Sequence, residues 1–260
     1  MSLPALAAVR ARFPRAHIAV LARPWVEGLY RHQPFADEII PYQPAPGWQG
    51  VKDRLAPHES FYYLELLRRI GWLDRLPEEP LVRLAGIDAA PRRLIGVSPG
   101  AAFGSAKRWL PERFAETAAL LAAPLHASVA IFGSVQERDL CEQVGTALAA
   151  RGVDVHNHAG ETTLEQFISL AASCMLFLTN DSGAMHIASA LGVPTVAVFG
   201  ATNHVTTGPT GPSARVVRHD VDCSPCLLRE CPIDHRCMTA VSTSQVAAAA
   251  HELLLQMNVK

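Results

Sequence analysis

From residue 93 onward, short apolar runs alternate with longer stretches of helical period. The runs at 93–98, 127–133, 153–156, 175–179, 194–199 and 214–218 read as strands. The stretches at 111–123, 136–150, 163–172 and 183–191, and the tail at 243–257, read as helices. Strands spaced by about 10 to 15 residues of helical pattern predict right-handed βαβ units in a parallel sheet. This part of the chain is therefore expected to form a complete Rossmann-like domain. Its helices are rich in alanine, which suits close packing on a sheet.

The first ninety residues follow another pattern. A helix is predicted from Leu3 to Phe13, a strand from Ala16 to Leu21, a helix from Pro24 to His32 and a short strand from Glu38 to Ile40. A Pro- and Gly-rich stretch, Pro41 to Pro57, leads to a further helix, His58 to Gly71. Only two strands are expected here, and a two-stranded sheet is marginal by itself. A parallel fold normally opens on a buried strand, so a start on a helix suggests that the beginning of this half is absent. The resulting division is 1–90, 91–242 and a C-terminal helix at 243–260.

Composition narrows the class. The chain has 260 residues, 49% of them hydrophobic, and a net charge of −1. Nothing in that balance suggests a nucleic-acid surface. No apolar run approaches the roughly 18 to 20 residues of a membrane span, and no signal-peptide pattern precedes the first helix. Six cysteines in a chain of this size do not suggest a disulfide-stapled fold, so the expectation is a soluble cytoplasmic protein.

Two segments carry candidate chemistry. In the first, the strand ending at Thr179 runs into Asn180-Asp181-Ser182-Gly183, and a small-residue helix follows. Polar residues at the carboxyl end of a parallel strand, just before the N–H groups of a helix, suit an anion. Gly183 would let a ligand approach the backbone, and His186 would lie on the first helical turn. The plainer alternative is an ordinary connection capped by Asp181 or Ser182. In the second segment, Ser98-Pro-Gly-Ala-Ala-Phe-Gly-Ser-Ala-Lys107-Arg108-Trp109, a strand leads into a loop with two glycines and two cations. Glycines expose N–H groups to phosphate oxygens, and a lysine can neutralise a departing diphosphate. The alternative is a solvated basic loop. Trp109 reads as packing, as do Trp25 and Trp72, while Trp48 is left open.

Late in the chain, Cys223, Cys226, Cys231 and Cys237 are spaced Cys-x2-Cys-x4-Cys-x5-Cys. Four thiolates so placed could hold zinc or an iron–sulfur cluster. Reduced thiols packing a loop, or a disulfide, are the other readings, and the first of these two is favoured.

Together the motifs resemble the ADP-heptose:lipopolysaccharide heptosyltransferases, and the heptosyltransferase II branch most closely. The matching pieces are Pro99-Gly-Ala101 with Lys107-Arg-Trp109, Phe132-Gly133 with Glu137, and Asn180 to His186. Ala188 to Thr202, the late cysteines, Leu3-Pro-Ala-Leu6 with Arg12-Phe-Pro14, and His58 to Leu64 continue the likeness. It covers essentially the whole chain. The resemblance implies a two-lobed GT-B fold, with residues 1–90 as a shortened acceptor lobe and 91–242 as the donor lobe. It implies inverting transfer of L-glycero-D-manno-heptose from ADP-heptose to the lipopolysaccharide inner core at the inner-membrane surface, with no cofactor and no metal ion. Lys107 would contact the donor phosphates, with Gly100 and Ala101 in the same loop. Ser182, Gly183 and Ala184 would cradle the diphosphate, Asp181 and His186 would line the pocket, and Glu137 and Thr162 would sit near the adenosine. Lys107 and Asp181 are the candidate catalytic residues. The family's expected base, an aspartate of a Gly-Asp pair ahead of the Leu-Pro-Ala-Leu helix, has no counterpart after Met1. Asp37, Glu38, Asp53, Glu59 and Glu65 do not occupy that position. A second reading is therefore a nucleotide-sugar-binding remnant without transfer, and a third is a structural protein built on the cysteines.

Overall fold

The computed structural model describes residues 2–41, 58–79, 81–87 and 89–258. The chain divides into two compact units, Met1–Ile87 and Asp88–Lys260.

In the first unit, α1 (Leu3–Arg12) begins with a proline in its first turn and packs on α3 (Glu59–Arg69). The strands β1 (Ala19–Ala22) and β2 (Glu38–Pro41) pair in parallel, from Ala19 opposite Glu38 to Ala22 opposite Pro41. β1 starts three residues later than its pattern predicts. Side chains already occupy the backbone just ahead of it: Asp37 accepts the Ile18 N–H at 2.8 Å, and Arg10 donates to the Ala16 carbonyl at 2.8 Å. The helix predicted over Pro24–His32 is two short pieces, a 3-10 turn at Pro24–Val26 and α2 (Glu27–Tyr30). α3 is capped by His58, whose Nδ1 accepts the Ser60 N–H at 3.1 Å. Trp25 is not a packing residue: 70% of it is exposed. Trp72 meets Phe13 edge to face at 5.1 Å. Trp48 and Asp53, with the stretch 42–57, lie outside the described residues.

The second unit is a six-stranded parallel sheet. Its strands are β3 (Leu94–Ser98), β4 (Ser128–Ile131), β5 (Val155–Asn157), β6 (Leu176–Asn180), β7 (Thr195–Phe199) and β8 (Ala214–Arg218), in the order β5-β4-β3-β6-β7-β8. Each strand matches a predicted one: β3, β4 and β7 are shorter, β5 and β6 start later and end one residue further on, and β8 has the predicted bounds. β5 begins at Val155 rather than 153 because Gly152 turns back at φ +74 and the Val153 N–H is taken by Leu148 O.

Residues of β3, β4, β6 and β7 alternate between the two faces. Ile95, Val97, Val129, Ile131, Leu176, Leu178, Val196 and Val198 join one core with α4 (Pro111–Leu125), α5 (Arg138–Ala149) and α10 (Thr243–Asn258). On the other face Leu94, Ala130, Phe132 and Phe177 pack with α6 (Leu164–Ala172) and α7 (Gly183–Ala190). Past the short helices α8 (His204–Thr207) and α9 (Arg236–Thr239), the tail helix α10 lies on α4, β7 and β8 and so belongs to this unit. Gly96 makes room for the Phe177 ring, which a Cβ there would meet at 2.4 Å.

This winding reverses between β3 and β6. Those strands are neighbours, with Ser98 opposite Thr179, yet their following helices go to opposite faces. A crevice opens at the carboxyl ends of such a pair. Among the described residues no helix is long and apolar enough to cross a membrane.

Candidate functional site

Both motif-bearing loops leave the sheet at that crevice. The loop after β3 holds Gly100 to Lys107, and the turn after β6 holds Asp181 and Ser182. Asn180, the last residue of β6 and fully buried, joins them. Its Oδ1 accepts the Trp109 N–H at 2.9 Å, and its Nδ2 donates to Pro99 O at 2.7 Å and Gly100 O at 3.4 Å. A polar residue closing a largely apolar strand was the visible signal for this bridge, although sequence reasoning gave Asn180 no role.

A second link lies beside it. Lys107 Nζ is 2.6 Å from Asp181 Oδ2, and the same oxygen accepts the Thr202 hydroxyl at 2.6 Å. The two charged side chains keep only 12% and 5% of their exposure. Lys107 thus belongs to a sequestered pair rather than a solvated basic loop. Its ammonium also sits 4.9 Å from the Phe103 ring centroid. Thr202 was quoted in the motif but given no role.

Between the loops is a cavity of about 210 Å³. Gly100, Ala101, Glu137, Thr162, Ser182, Gly183 and Ala184 all line it. Phe132, Phe167, Gly133 and Ser134, which sequence reasoning did not assign to the site, complete much of the wall. Lys107, Asp181 and His186 lie outside the lining; His186 is half-buried on the first turn of α7.

The start of α7 has no side-chain cap. Ser182 occupies the N-cap position, yet its side chain makes no cap bond and instead meets the Thr179 hydroxyl at 3.2 Å. Asp181 is engaged by Lys107 and Thr202. The plainer reading of a capped connection therefore does not describe this turn. α6 shows the contrast, since Thr163 and Gln166 close its N-terminus with a capping box. Gly183 is exposed, and a Cβ added there would meet nothing within 4 Å. The helix start, whose first-turn N–H groups have no intrahelical partners, thus borders the cavity through Ser182, Gly183 and Ala184.

Glu137 occupies the opposite wall. Its Oε2 accepts from Ser134 N at 2.9 Å and Ser134 Oγ at 2.8 Å. Its Oε1 lies where a Cβ on Gly100 would fall, at 2.1 Å. Only glycine at position 100 leaves that carboxylate in place. Burial, then the Glu137 charge, push the thiol of Cys141 behind this wall up to about 12.

Trp109 is a packing residue, fully buried, edge to face with Phe114 at 5.0 Å and donating from Nε1 to Val241 O at 3.1 Å. The four late cysteines are free thiols: Cys223 exposed, Cys226 and Cys231 half-buried, Cys237 buried. Burial first, and then the charges of Cys223, Cys226 and Cys231, raise the Cys237 thiol. Among the described residues no three His, Cys, Asp or Glu side chains are gathered to hold a metal ion. Of the first-half carboxylates, Asp37 pairs with Arg10, Glu38 with His17 at 3.1 Å, and Glu65 with Arg68 and Arg69.

Residues 74–236 match glycosyltransferase family 9 (heptosyltransferase). Lipooligosaccharide heptosyltransferase 2 of Campylobacter jejuni is 37% identical over 166 residues, 63% of this chain and 51% of its own length. Lipopolysaccharide heptosyltransferase 2 of Salmonella typhimurium is 41% identical over 131 residues, 50% of this chain and 37% of its own. The chain spans about half the length, or less, of these curated relatives. The solved structure of Escherichia coli ADP-heptose lipopolysaccharide heptosyltransferase II superimposes with a TM-score of 0.81 at 27% identity, over 99% of this chain and 95% of that one. The α/β architecture with parallel sheets is that of the GT-B heptosyltransferases. On its sequence and on this fold, the chain belongs to glycosyltransferase family 9, the heptosyltransferases.

Proposed function

We propose that this chain transfers L-glycero-D-manno-heptose from ADP-heptose to the inner core of lipopolysaccharide, inverting the anomeric centre without a metal ion. The observation that carries the reading is the convergence of two turns on one crevice, one bearing the Lys107 ammonium and the other the open N-terminus of α7. Proteins named lipooligosaccharide and lipopolysaccharide heptosyltransferase 2 are 37% and 41% identical to this chain over 166 and 131 residues, which supports the reading.

In this reading the diphosphate lies over Ser182, Gly183 and Ala184, with adenosine between Glu137, Thr162 and the aromatic wall. Gly100 and Ala101 allow the backbone to approach. Lys107 reaches the phosphates from its place on Asp181, and His186 meets the donor from the first turn of α7. An acceptor hydroxyl oxygen bonds the anomeric carbon from the face opposite the diphosphate. The carbon–oxygen bond to ADP breaks, and its electron pair leaves with ADP. Lys107 and the α7 dipole stabilise that charge in the role a metal would otherwise serve. The hydroxyl proton goes to a base, which is not assigned to any carboxylate of this chain. The acceptor is an inner-core heptose on a lipid anchor, so the reaction belongs at the cytoplasmic face of the inner membrane.

The test incubates the chain with ADP-heptose and an inner-core acceptor, with and without EDTA, and follows ADP release and acceptor mass. One added heptose per ADP, insensitive to EDTA and of inverted configuration by NMR, is expected. ADP-heptose that binds but is never consumed would replace transfer by the donor-binding reading. No binding at all would overturn both.

A further inference from the structure

The segment bearing the late cysteines is anchored at both sides of the Lys107–Asp181 pair. At one side Ser224 Oγ donates to Gly200 O at 2.6 Å, and the Leu227 N–H donates to Ala201 O at 2.8 Å. Cys237 is buried against Gly200, where a Cβ would come within 2.8 Å of its sulfur. Gly200 and Ala201 lead directly to Thr202, which donates to Asp181.

At the other side, Arg229 and His235 grip the loop that ends in Lys107. The Ala106 N–H donates to Arg229 O at 3.0 Å, and His235 Nε2 is 3.0 Å from Ala106 O. A carbonyl only accepts, so His235 carries its proton on Nε2 here. Both backbone groups of the residue before Lys107 are thereby held from this one segment. The Arg229 guanidinium donates to Phe103 O at 3.3 Å and stacks over the Phe103 ring at 5.2 Å, while Lys107 sits 4.9 Å from the same ring. Gly104 allows this fit, since any Cβ would fall 2.1 Å from Arg229 O. The segment adopts unusual backbone to make these contacts. Leu227 and His235 have φ of +58° and +56°, a region that non-glycine residues rarely occupy unless their surroundings hold them there.

We propose that Arg229 and His235 are positioning residues for Lys107, acting through Phe103 and Ala106, so that the segment 223–237 sets the strength of diphosphate binding without touching the ligand. The proposal rests on the donor-site reading above for its consequence, but not for its geometry.

The test therefore has two readouts on the whole chain. The first is amide hydrogen exchange over Phe103–Lys107, with no ligand present. Arg229→Ala and His235→Ala should each speed it at least tenfold, and His235→Gln, which keeps a donor, should stay near the parent rate. Unchanged exchange in both alanine variants would overturn the clamp, whatever ADP does. The second readout is ADP affinity by calorimetry, in a double-mutant cycle with Lys107→Ala. Each alanine variant should weaken ADP three- to tenfold in the parent background and less than twofold when Lys107 is already gone. Equal weakening in both backgrounds would show general damage to the fold and would sink the proposal. If the parent chain does not bind ADP, the donor-site reading fails, and the exchange measurement still decides the clamp.

Discussion

Asn180 and Trp109 lie 71 positions apart, yet the Asn180 Oδ1 accepts the Trp109 backbone N–H at 2.9 Å inside the protein. The same side chain donates to Pro99 O, so one amide fastens both sides of the crevice. Replacing it by leucine leaves a buried donor and a buried acceptor unpaired. Each such loss costs about 1 to 3 kcal/mol. Asn180→Leu should therefore lower the unfolding free energy of the second unit by about 3 kcal/mol and weaken ADP at the same time. Denaturant titration and calorimetry on the same preparation check both effects. Unchanged stability would mean the bridge is not a structural link.

Gly183 separates stability from binding. A methyl group there meets open space, and alanine is favoured over glycine within a helix by about 1 kcal/mol. Gly183→Ala should hold or raise the melting temperature while weakening ADP at least tenfold, because the new Cβ occupies the approach to the α7 amides. A parallel fall in stability and affinity would contradict this placement of the ligand.

Thr117 is an imperfection in the core. It is fully buried on α4, and its hydroxyl has no hydrogen-bond partner. Thr117→Val keeps the shape and removes the unpaired group, so it should stabilise the second unit by about 1 kcal/mol. A urea midpoint that fails to rise would show that the hydroxyl finds a partner in solution.

Acid should act on the first unit through Glu65. Hydrogen bonds from Arg68, then from Arg69, hold its carboxyl at about 2, below its ordinary 4.5. A carboxylate held below its unfolded value contributes stability fully above that value and loses it as pH falls through the folded one. The contribution of Glu65 should thus be intact above about pH 4.5 and fade between there and about pH 2. Glu65→Gln should flatten the acid limb of thermal unfolding across that window. An identical limb in the variant would dismiss the pair as a source of acid sensitivity.

The second unit was legible because its central strands β3, β4, β6 and β7 are mostly apolar runs bounded by turn residues, and α4 and α6 have strong starts in Pro111 and Thr163-x-x-Gln166. Its end positions shifted where local bonds compete with the ladder, as at Val153. Position also explains why Gly100, Ser182 and Gly183, which line the cavity, stood out in the sequence: glycine and small polar residues near strand ends are local signals. Asn180, Thr202, Arg229 and His235 were not found as site residues because their partners are 21 to 129 positions away. No local pattern records such contacts. In the first unit Pro24–His32 misled for another reason. Its helical signal was too short to sustain more than a turn of each kind, and Trp25 faces solvent.

The adjacency of β3 and β6 ties the crevice to the integrity of the whole sheet. Some eighty positions of chain must be organised before Ser98 can lie opposite Thr179, and neither loop can form half of the pocket alone. A fluctuation that parts these two strands would erase the binding surface in one step. Conversely, a nucleotide held between them acts as a rivet: at a hundredfold excess over its dissociation constant it should add about 2.7 kcal/mol to the resistance of the entire second unit against unfolding.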